Sequence, residues 1–562
     1  MLQPALPFLC VAGLLGCGPQ LLAPNLVAQG REAPAGAPAS PGLGSTPATA
    51  SRLVVSLVID QLPSWALERY APLFDEGSAL REAMTHGAYY AQGQYDYAGT
   101  YTAPGHATLY TGVLPREHGV GANEVWDAAR GRTVSVVDDG QHAVVGSADQ
   151  FASPVVLRVP TVADELEQET NGRAVTVSLS LKDRAAVLPG GQHADLALFY
   201  DAKRGEFSTS VFYAGGLPNW LVSFQRAHPL SARLDAWQPG NASALERLLG
   251  PDAAPGEGDW LGMGASFPHD PRRSPEPLTA VRVTPTATEY LFDVARECAA
   301  RLELGQDDVP DLLMISVSSV DYAGHVFGPE SWEYADSLVR TDRALTRFLS
   351  DLRPRGPVSV LVTSDHGVAP LPEQSARRGH LAFRVPPKKV AQAANLALAG
   401  RFGLKGPPIA SYTEPFVYLS PEAKGSPAYR EILDAVAGEL GKTPGVAATY
   451  SVRELVARPP ESELAALVRA SVPDDCVADL FVVPSEYSVV DPAQPGGSGT
   501  SHGSPWTYDR HVPVLFWGPG VSARFEPEPV SILRVAPTLS ALLGIHAPAS
   551  AQAAPLPGAP ER

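Results

Sequence analysis

Three aspartates and three histidines stand where their chemistry could converge. Asp321-x-x-x-His325 and Asp365-His366 form two close pairs, while Asp60 and His502 stand alone. The aspartates follow runs of β-branched and aliphatic residues: Leu53 to Ile59, Leu312 to Val317 and Val358 to Thr363. His502 lies ten residues ahead of a fourth run, Val512 to Trp517. Strands this apolar suit a buried, mainly parallel sheet, and ligands of such sheets gather beyond the carboxyl ends of the strands. Carboxylate oxygens combined with imidazole nitrogens favour zinc over magnesium or calcium. Asp60, Asp365 and His366 would make one centre, and Asp321, His325 and His502 the other. A helical Asp-x-x-x-His puts both side chains on one face, a turn apart, so one ion can reach both. Singly, each residue has a bland reading, because an Asp after a strand often caps a helix and a lone His often packs. Their joint occurrence at strand ends outweighs it.

Charge arithmetic asks for one more ligand. Two Zn²⁺ bring four positive charges and the aspartates remove three, which leaves room for one anionic oxygen. Thr102, in Tyr101-Thr102-Ala103-Pro104-Gly105-His106, can supply it, since coordination lowers an oxygen's pKa enough to make it a nucleophile. A helix expected from near Pro104 through Leu109 would add backbone N–H groups and favourable potential for an anion. The competing role for Thr102 is a plain N-cap of that helix.

The elements that must position these residues alternate from Arg52 onward between strands and helices. That pattern predicts an α/β fold with a central, mainly parallel sheet flanked by helices. Helices are expected over Pro63 to Tyr70 and Glu76 to His86, a strand over Val175 to Ser180, and a closing helix from Val535 stopped by Gly544. The catalytic domain would span residues 51–546. Two insertions interrupt it, one over about 218–285, rich in Pro, Gly and Trp, and a small α+β subdomain over about 369–494. Residues 547–562 read as a loose Pro/Ala tail.

Residues 1–17 read as a signal segment, because the apolar stretch from Ala5 is too short to span a bilayer. Leu14-Leu15-Gly16-Cys17 resembles a bacterial lipoprotein signal, in which a lipidated Cys17 would tether the protein to a membrane; a plain cleaved signal is the alternative. Residues 18–50 read as a flexible Pro/Ala/Gly linker. Export is expected, to the periplasm or outer membrane of a bacterium. The chain has 60 acidic and 43 basic side chains, a net charge of −17, and no basic run, which argues against a nucleic-acid scaffold as partner. Cys298 and Cys476 are too few for a disulfide framework, although a single bridge between them is compatible with export.

The ordered set Val58-Ile59-Asp60, Tyr101-Thr102-Ala103-Pro104-Gly105-His106, Asp321-x-x-x-His325, Thr363-Ser364-Asp365-His366-Gly367 and Ser501-His502-Gly503 resembles the alkaline phosphatase superfamily. Within it, the set is similar to the phosphate-irrepressible bacterial alkaline phosphatases with a threonine nucleophile, which resemble nucleotide pyrophosphatase/phosphodiesterases. The resemblance implies two zinc ions with the ligand sets above, a covalent phosphothreonine on Thr102, and phosphate esters as substrates. It further implies that Lys182 and Arg184 are the phosphate-contacting pair of the monoesterase branch, and that Asn123 donates to a phosphoryl oxygen in both branches. Read alone, Lys182 and Arg184 would be a solvated turn and Asn123 a loop residue. The expected function is phosphomonoester hydrolysis, with phosphodiesterase as the alternative. A sulfatase is disfavoured because the Thr102 motif lacks the Cys or Ser of a C/S-x-P-x-R context. A lipid-anchored binding protein without turnover is disfavoured by the complete set of ligands and nucleophile.

Overall fold

A computed structural model of the protein describes residues 51–490 and 498–561. The signal segment and linker expected over residues 1–50, and the end of the second insertion, lie outside the described residues.

Ten strands form the central sheet. Its order is Arg524–Glu526, Ala88–Gln94, His511–Trp517, Val358–Thr363, Leu53–Ile59, Asp311–Val317, Thr176–Ser180, Leu196–Asp201 and Glu206–Ser208, with Val530–Ser531 added beside Ala88–Gln94. Leu53–Ile59 pairs in parallel with Asp311–Val317 on one side and Val358–Thr363 on the other. Both faces of it are covered, so all seven of its residues are buried and the strand is continuously apolar. Val55, Leu57 and Ile59 enter one core with Leu313, Ile315, Phe292 and Phe348. Val54 and Val58 enter the other with Met314, Leu361 and Leu539. This alternation is the period of two of a β-strand expressed as two helical layers.

Two strands depart from what the sequence leads one to expect. His511–Trp517 runs antiparallel to both neighbours, so a residue before it reaches the same edge as residues after the parallel strands. Ala88–Gln94, with the unassertive sequence AYYAQGQ, is a full strand of the sheet. It packs so closely that a Cβ on Gly93 would press on Val514 and Ile532. Its exit at the site edge leads through Tyr95 to Tyr101.

The first insertion supplies short helices, among them Asn219–Ala227 and Ala242–Leu249, and an apolar cluster in which Trp237 and Met263 meet Phe327. The second contains a four-stranded sheet, Ile409–Thr413, Phe416–Leu419, Leu480–Pro484 and Val446–Ser451, with its own core around Val417, Ile432, Val436 and Leu480.

The C-terminal segment corrects the expectation of a loose tail. Leu556 is 2% exposed within the second core layer. Its N–H donates to Thr538 Oγ1 at 2.9 Å, and the Tyr90 hydroxyl donates to Pro557 O at 2.6 Å. Nor do the cysteines pair, for Cys298 is buried in the first core layer, Cys476 is half-buried in another cluster, and both are free thiols. Among the described residues no helix is long and apolar enough to cross a membrane.

Candidate active site

The six Asp and His residues meet at the carboxyl edge of the sheet in two groups, Asp60 with Asp365 and His366, and Asp321 with His325 and His502. Asp60 follows the central strand directly. Asp365 follows Val358–Thr363, Asp321 and His325 sit on the helix Ser319–Phe327, and His502 arrives ahead of the antiparallel strand. Each histidine directs Nδ1 at a backbone carbonyl: His325 at Thr500 O (2.9 Å), His366 at Gly367 O (2.9 Å) and His502 at Thr100 O (2.8 Å). Donation from Nδ1 leaves a lone pair on each Nε2, the form in which imidazole binds a metal.

These atoms fit a metal ion. In the first group His366 Nε2 lies 3.4 Å from both Asp60 Oδ1 and Asp365 Oδ2. Both oxygens are buried and accept no hydrogen bond, although His106 Nδ1 is 3.3 Å from Asp365 Oδ2. Three converging acceptors without a proton between them call for a cation. Tetrahedral ligands about 2.0–2.1 Å from zinc are spaced about 3.3–3.4 Å apart. In the second group His325 Nε2 is 3.3 Å and His502 Nε2 is 3.8 Å from Asp321 Oδ1.

Thr102 is not the N-cap of its helix. The helix spans Thr102–Thr111 and Tyr101 is the cap, which places Thr102 in the first turn with its hydroxyl uncommitted to capping. That hydroxyl lies 3.4 Å from His366 Nε2 and 3.3 Å from Lys182 Nζ. Lys182 is itself the N-cap of the helix Asp183–Gly190, which packs against the Thr102 helix. Two helix N-termini therefore flank one spot, a favourable environment for an anion. The Lys182 ammonium donates to Asp60 Oδ2 at 2.6 Å and to Asp321 Oδ2 at 2.7 Å, joining the two groups.

Asn123 accepts from the Ala103 N–H through Oδ1 at 2.8 Å, which directs its amide NH₂ elsewhere. Arg184 lies two residues into its helix, and its buried Nε has no hydrogen-bond partner. Two further residues belong to this assembly. Gln61 donates from its backbone N–H to Asp365 Oδ1 (3.2 Å) and from Nε2 to Asp321 Oδ1 (2.9 Å), so it links the two groups; its left-handed backbone (φ 68°) is invisible in a sequence that puts a plain Gln after Asp60. His106 bridges Thr102 O and Ser316 Oγ at 2.9 Å each, holding the Thr102 helix to the sheet.

Burial dominates the electrostatics. It raises the Asp60 carboxyl well above the usual range, helped by Asp321 and Asp365. Asp321 would rise through burial as well, yet Lys182, His325 and His502 hold it well below the ordinary value. Burial alone would lower Lys182, but Asp321 and Asp60 keep its ammonium above the usual lysine range. The site thus keeps a charged lysine beside Thr102.

The model of the family of type I phosphodiesterase / nucleotide pyrophosphatase matches residues 54–388. Alkaline phosphatase PafA of Elizabethkingia meningoseptica is 30% identical over 527 residues, 90% of this chain and 94% of the relative. Alkaline phosphatase PhoV of Synechococcus elongatus is 29% identical and covers 88% of this chain and 90% of the relative. A crystal structure of wild-type PafA matches with a TM-score of 0.83 at 27% identity, over 91% of this chain and 99% of that one. The sheet agrees with the fold of that structure, and the chain belongs to the type I phosphodiesterase / nucleotide pyrophosphatase family.

Proposed function

We propose that the protein is a metal-dependent phosphomonoester hydrolase, an alkaline phosphatase, that works through a covalent phosphothreonine on Thr102 and releases inorganic phosphate. Asp60, Asp365 and His366 would hold one zinc ion, with Thr102 as a further ligand, and Asp321, His325 and His502 a second. When bound, the ions would supply Lewis acidity at the attacking and departing oxygens.

The chain's own residues do the rest. Thr102 Oγ, its proton lost to solvent, forms the bond to phosphorus as the ester P–O bond breaks, and the leaving oxygen carries away the electron pair as an alkoxide and takes a proton from water. Water then attacks phosphorus, the Thr102–phosphorus bond breaks, and phosphate departs. Lys182, 3.3 Å from Thr102 Oγ, favours the alkoxide and with Arg184 and the free amide of Asn123 meets the nonbridging oxygens, where preorganised donors act most strongly.

One observation carries the choice of monoester: a buried lysine ammonium lies beside the nucleophile. A monoester dianion has more negative charge than a diester and gains more from that cation. A variant of the crystallised PafA has a threonine, an asparagine, a lysine and an arginine replaced, the residue types of Thr102, Asn123, Lys182 and Arg184, which supports the same assignment. The family model favours a second reading, phosphodiesterase. The two separate on zinc-loaded protein. Aryl phosphate monoesters should outrun matching diesters, and Lys182→Ala or Arg184→Ala should lower the monoester rate by roughly 10²–10³ with a smaller effect on diesters. A wild-type preference for diesters would transfer the case to the second reading. Export to the periplasm or outer membrane, with Cys17 as lipid anchor, belongs to the same proposal and rests on the apolar run from Ala5 and on Leu14-Leu15-Gly16-Cys17.

A further inference from the structure

Lys182 has a long, rotamer-rich side chain, and ordering such a chain costs entropy unless its surroundings fix it. Its two carboxylate partners, Asp60 and Asp321, are also assigned above as metal ligands, so the ammonium shares them. Apart from Thr102 Oγ at 3.3 Å, its further contact is aromatic. Lys182 Nζ lies 5.5 Å from the ring centroid of Tyr322, within the range in which a ring's quadrupole attracts a cation. Tyr322 is next to Asp321 on the Ser319–Phe327 helix and is half-buried.

The ring is held from outside the catalytic core. Arg282, in the first insertion, donates from Nη1 to the Tyr322 hydroxyl at 3.0 Å, and its guanidinium carbon lies 4.9 Å from the ring centroid. Arg282 is itself anchored by Nε donating to Thr279 O at 3.3 Å. Trp260, from the same insertion, packs against the ring with centroids 5.9 Å and planes 36° apart. The insertion therefore clamps one aromatic side chain whose face meets the ammonium beside the nucleophile.

We infer that Tyr322, braced by Arg282, is a positioning residue for Lys182 and thereby sets the preference for dianionic monoesters over diesters. The inference rests on the phosphomonoesterase reading above. Tyr322 is neither the proposed nucleophile nor a proposed ligand; it acts through the placement of one cation. A displaced Lys182 would still be charged but would no longer stand over the nonbridging oxygens, so the loss falls on the substrate with the greater charge.

The test uses full-length, zinc-loaded protein and measures kcat and KM for an aryl phosphate, kcat/KM for the matching aryl methyl phosphate, and competitive inhibition by inorganic phosphate. Tyr322→Leu is expected to lower monoester kcat/KM about tenfold and to weaken phosphate inhibition in parallel, with the diester changed less than about twofold. Tyr322→Phe, which keeps the ring against Lys182 and Trp260 but loses the hydroxyl that Arg282 holds, should fall between wild type and Tyr322→Leu. In a Lys182→Ala background Tyr322→Leu should add less than about a twofold further effect, because the residue it positions is gone. Equal falls for monoester and diester, or full additivity with Lys182→Ala, would overturn the inference. Should Tyr322→Leu fail to fold, Arg282→Gln carries the test: a lowered monoester-to-diester ratio supports the brace, and an unchanged ratio overturns it. A wild-type enzyme that prefers diesters removes the functional reading itself, whereas a monoester-selective wild type with an indifferent Tyr322 removes only this inference.

Discussion

His366 and His502 face each other ring to ring, with centroids 3.6 Å and planes 16° apart. They belong to different ligand groups, so the two groups form one electrostatic unit. Burial lowers the pKa of both rings, and for His502 the neighbouring His366 and His325 lower it further. Both rings thus stay neutral and able to coordinate at neutral and alkaline pH. About two zinc ions per chain are expected, and exhaustive chelation should abolish turnover and lower the melting temperature. A ligand bound only by the folded state adds about 4 kcal/mol when its free concentration is about a thousand times Kd. Full activity in protein shown by elemental analysis to be metal-free would refute the metal centre.

Thr102→Ala should leave the fold intact, since the hydroxyl caps nothing, and should remove the covalent phosphoryl-enzyme. Thr102→Ser keeps a hydroxyl and should retain measurable turnover. The check is acid-quenched labelling with phosphate ester followed by mass spectrometry of the peptide containing Thr102. Label on another residue in the wild type would move the nucleophile.

Gly105, in the first turns of the nucleophile's helix, packs against Asp365 with no room for a side chain, and a Cβ there would collide with the Asp365 backbone oxygen. Overpacking of this kind costs about 1–3 kcal/mol, and here it would push the Thr102 helix away from Asp365. Gly105→Ala should lower both melting temperature and kcat. Wild-type values for both would show that the contact relaxes without consequence.

Glu257 offers a pH prediction at a carboxyl that belongs to neither Asp/His group. Burial, and then its neighbours Glu333 and Asp252, push its carboxyl up to about 8. A folded-state pKa above the unfolded value means the native state binds the proton more tightly. That contribution is complete below the unfolded value, about 4.3, and is lost as pH rises through about 8. Between about pH 6 and pH 9 the wild-type melting temperature should fall more than that of Glu257→Gln. Parallel slopes for the two proteins would place the titration elsewhere.

The candidate ligands were legible because the three aspartates stand just after apolar runs, and such runs are what a sheet covered on both faces requires. Asp60, Asp321 and Asp365 could be placed by that rule, and His502 by the strand after it, although only pairing shows that this strand is reversed. Ala88–Gln94 escaped notice because its Gly and Gln residues break the apolar pattern, and its place depends on neighbours more than four hundred residues away in the chain. Lys182, Arg184 and Asn123 were raised above ordinary turn residues by resemblance alone, since nothing in a Lys-x-Arg names its partners. Gln61, the Tyr322–Arg282 contact and the anchoring of Leu556 depend on tertiary placement, which local composition does not encode. The Pro/Ala content of the tail conceals one leucine that fills a core position.

The reversed strand His511–Trp517 also fixes an order of events in the making of the protein. It lies between Ala88–Gln94 and Val358–Thr363, and the sheet partners of Ala88–Gln94 all come from residues after 510. A chain emerging from the ribosome can pair Leu53–Ile59 with Asp311–Val317 and Val358–Thr363 before its C-terminal segment exists, but Ala88–Gln94, which leads to Thr102, has no strand to join until the last fifty or so residues are made. An unfinished chain can thus bring Asp60, Asp321 and Asp365 into register while the strand that leads to Thr102 still waits for its partners in the sheet.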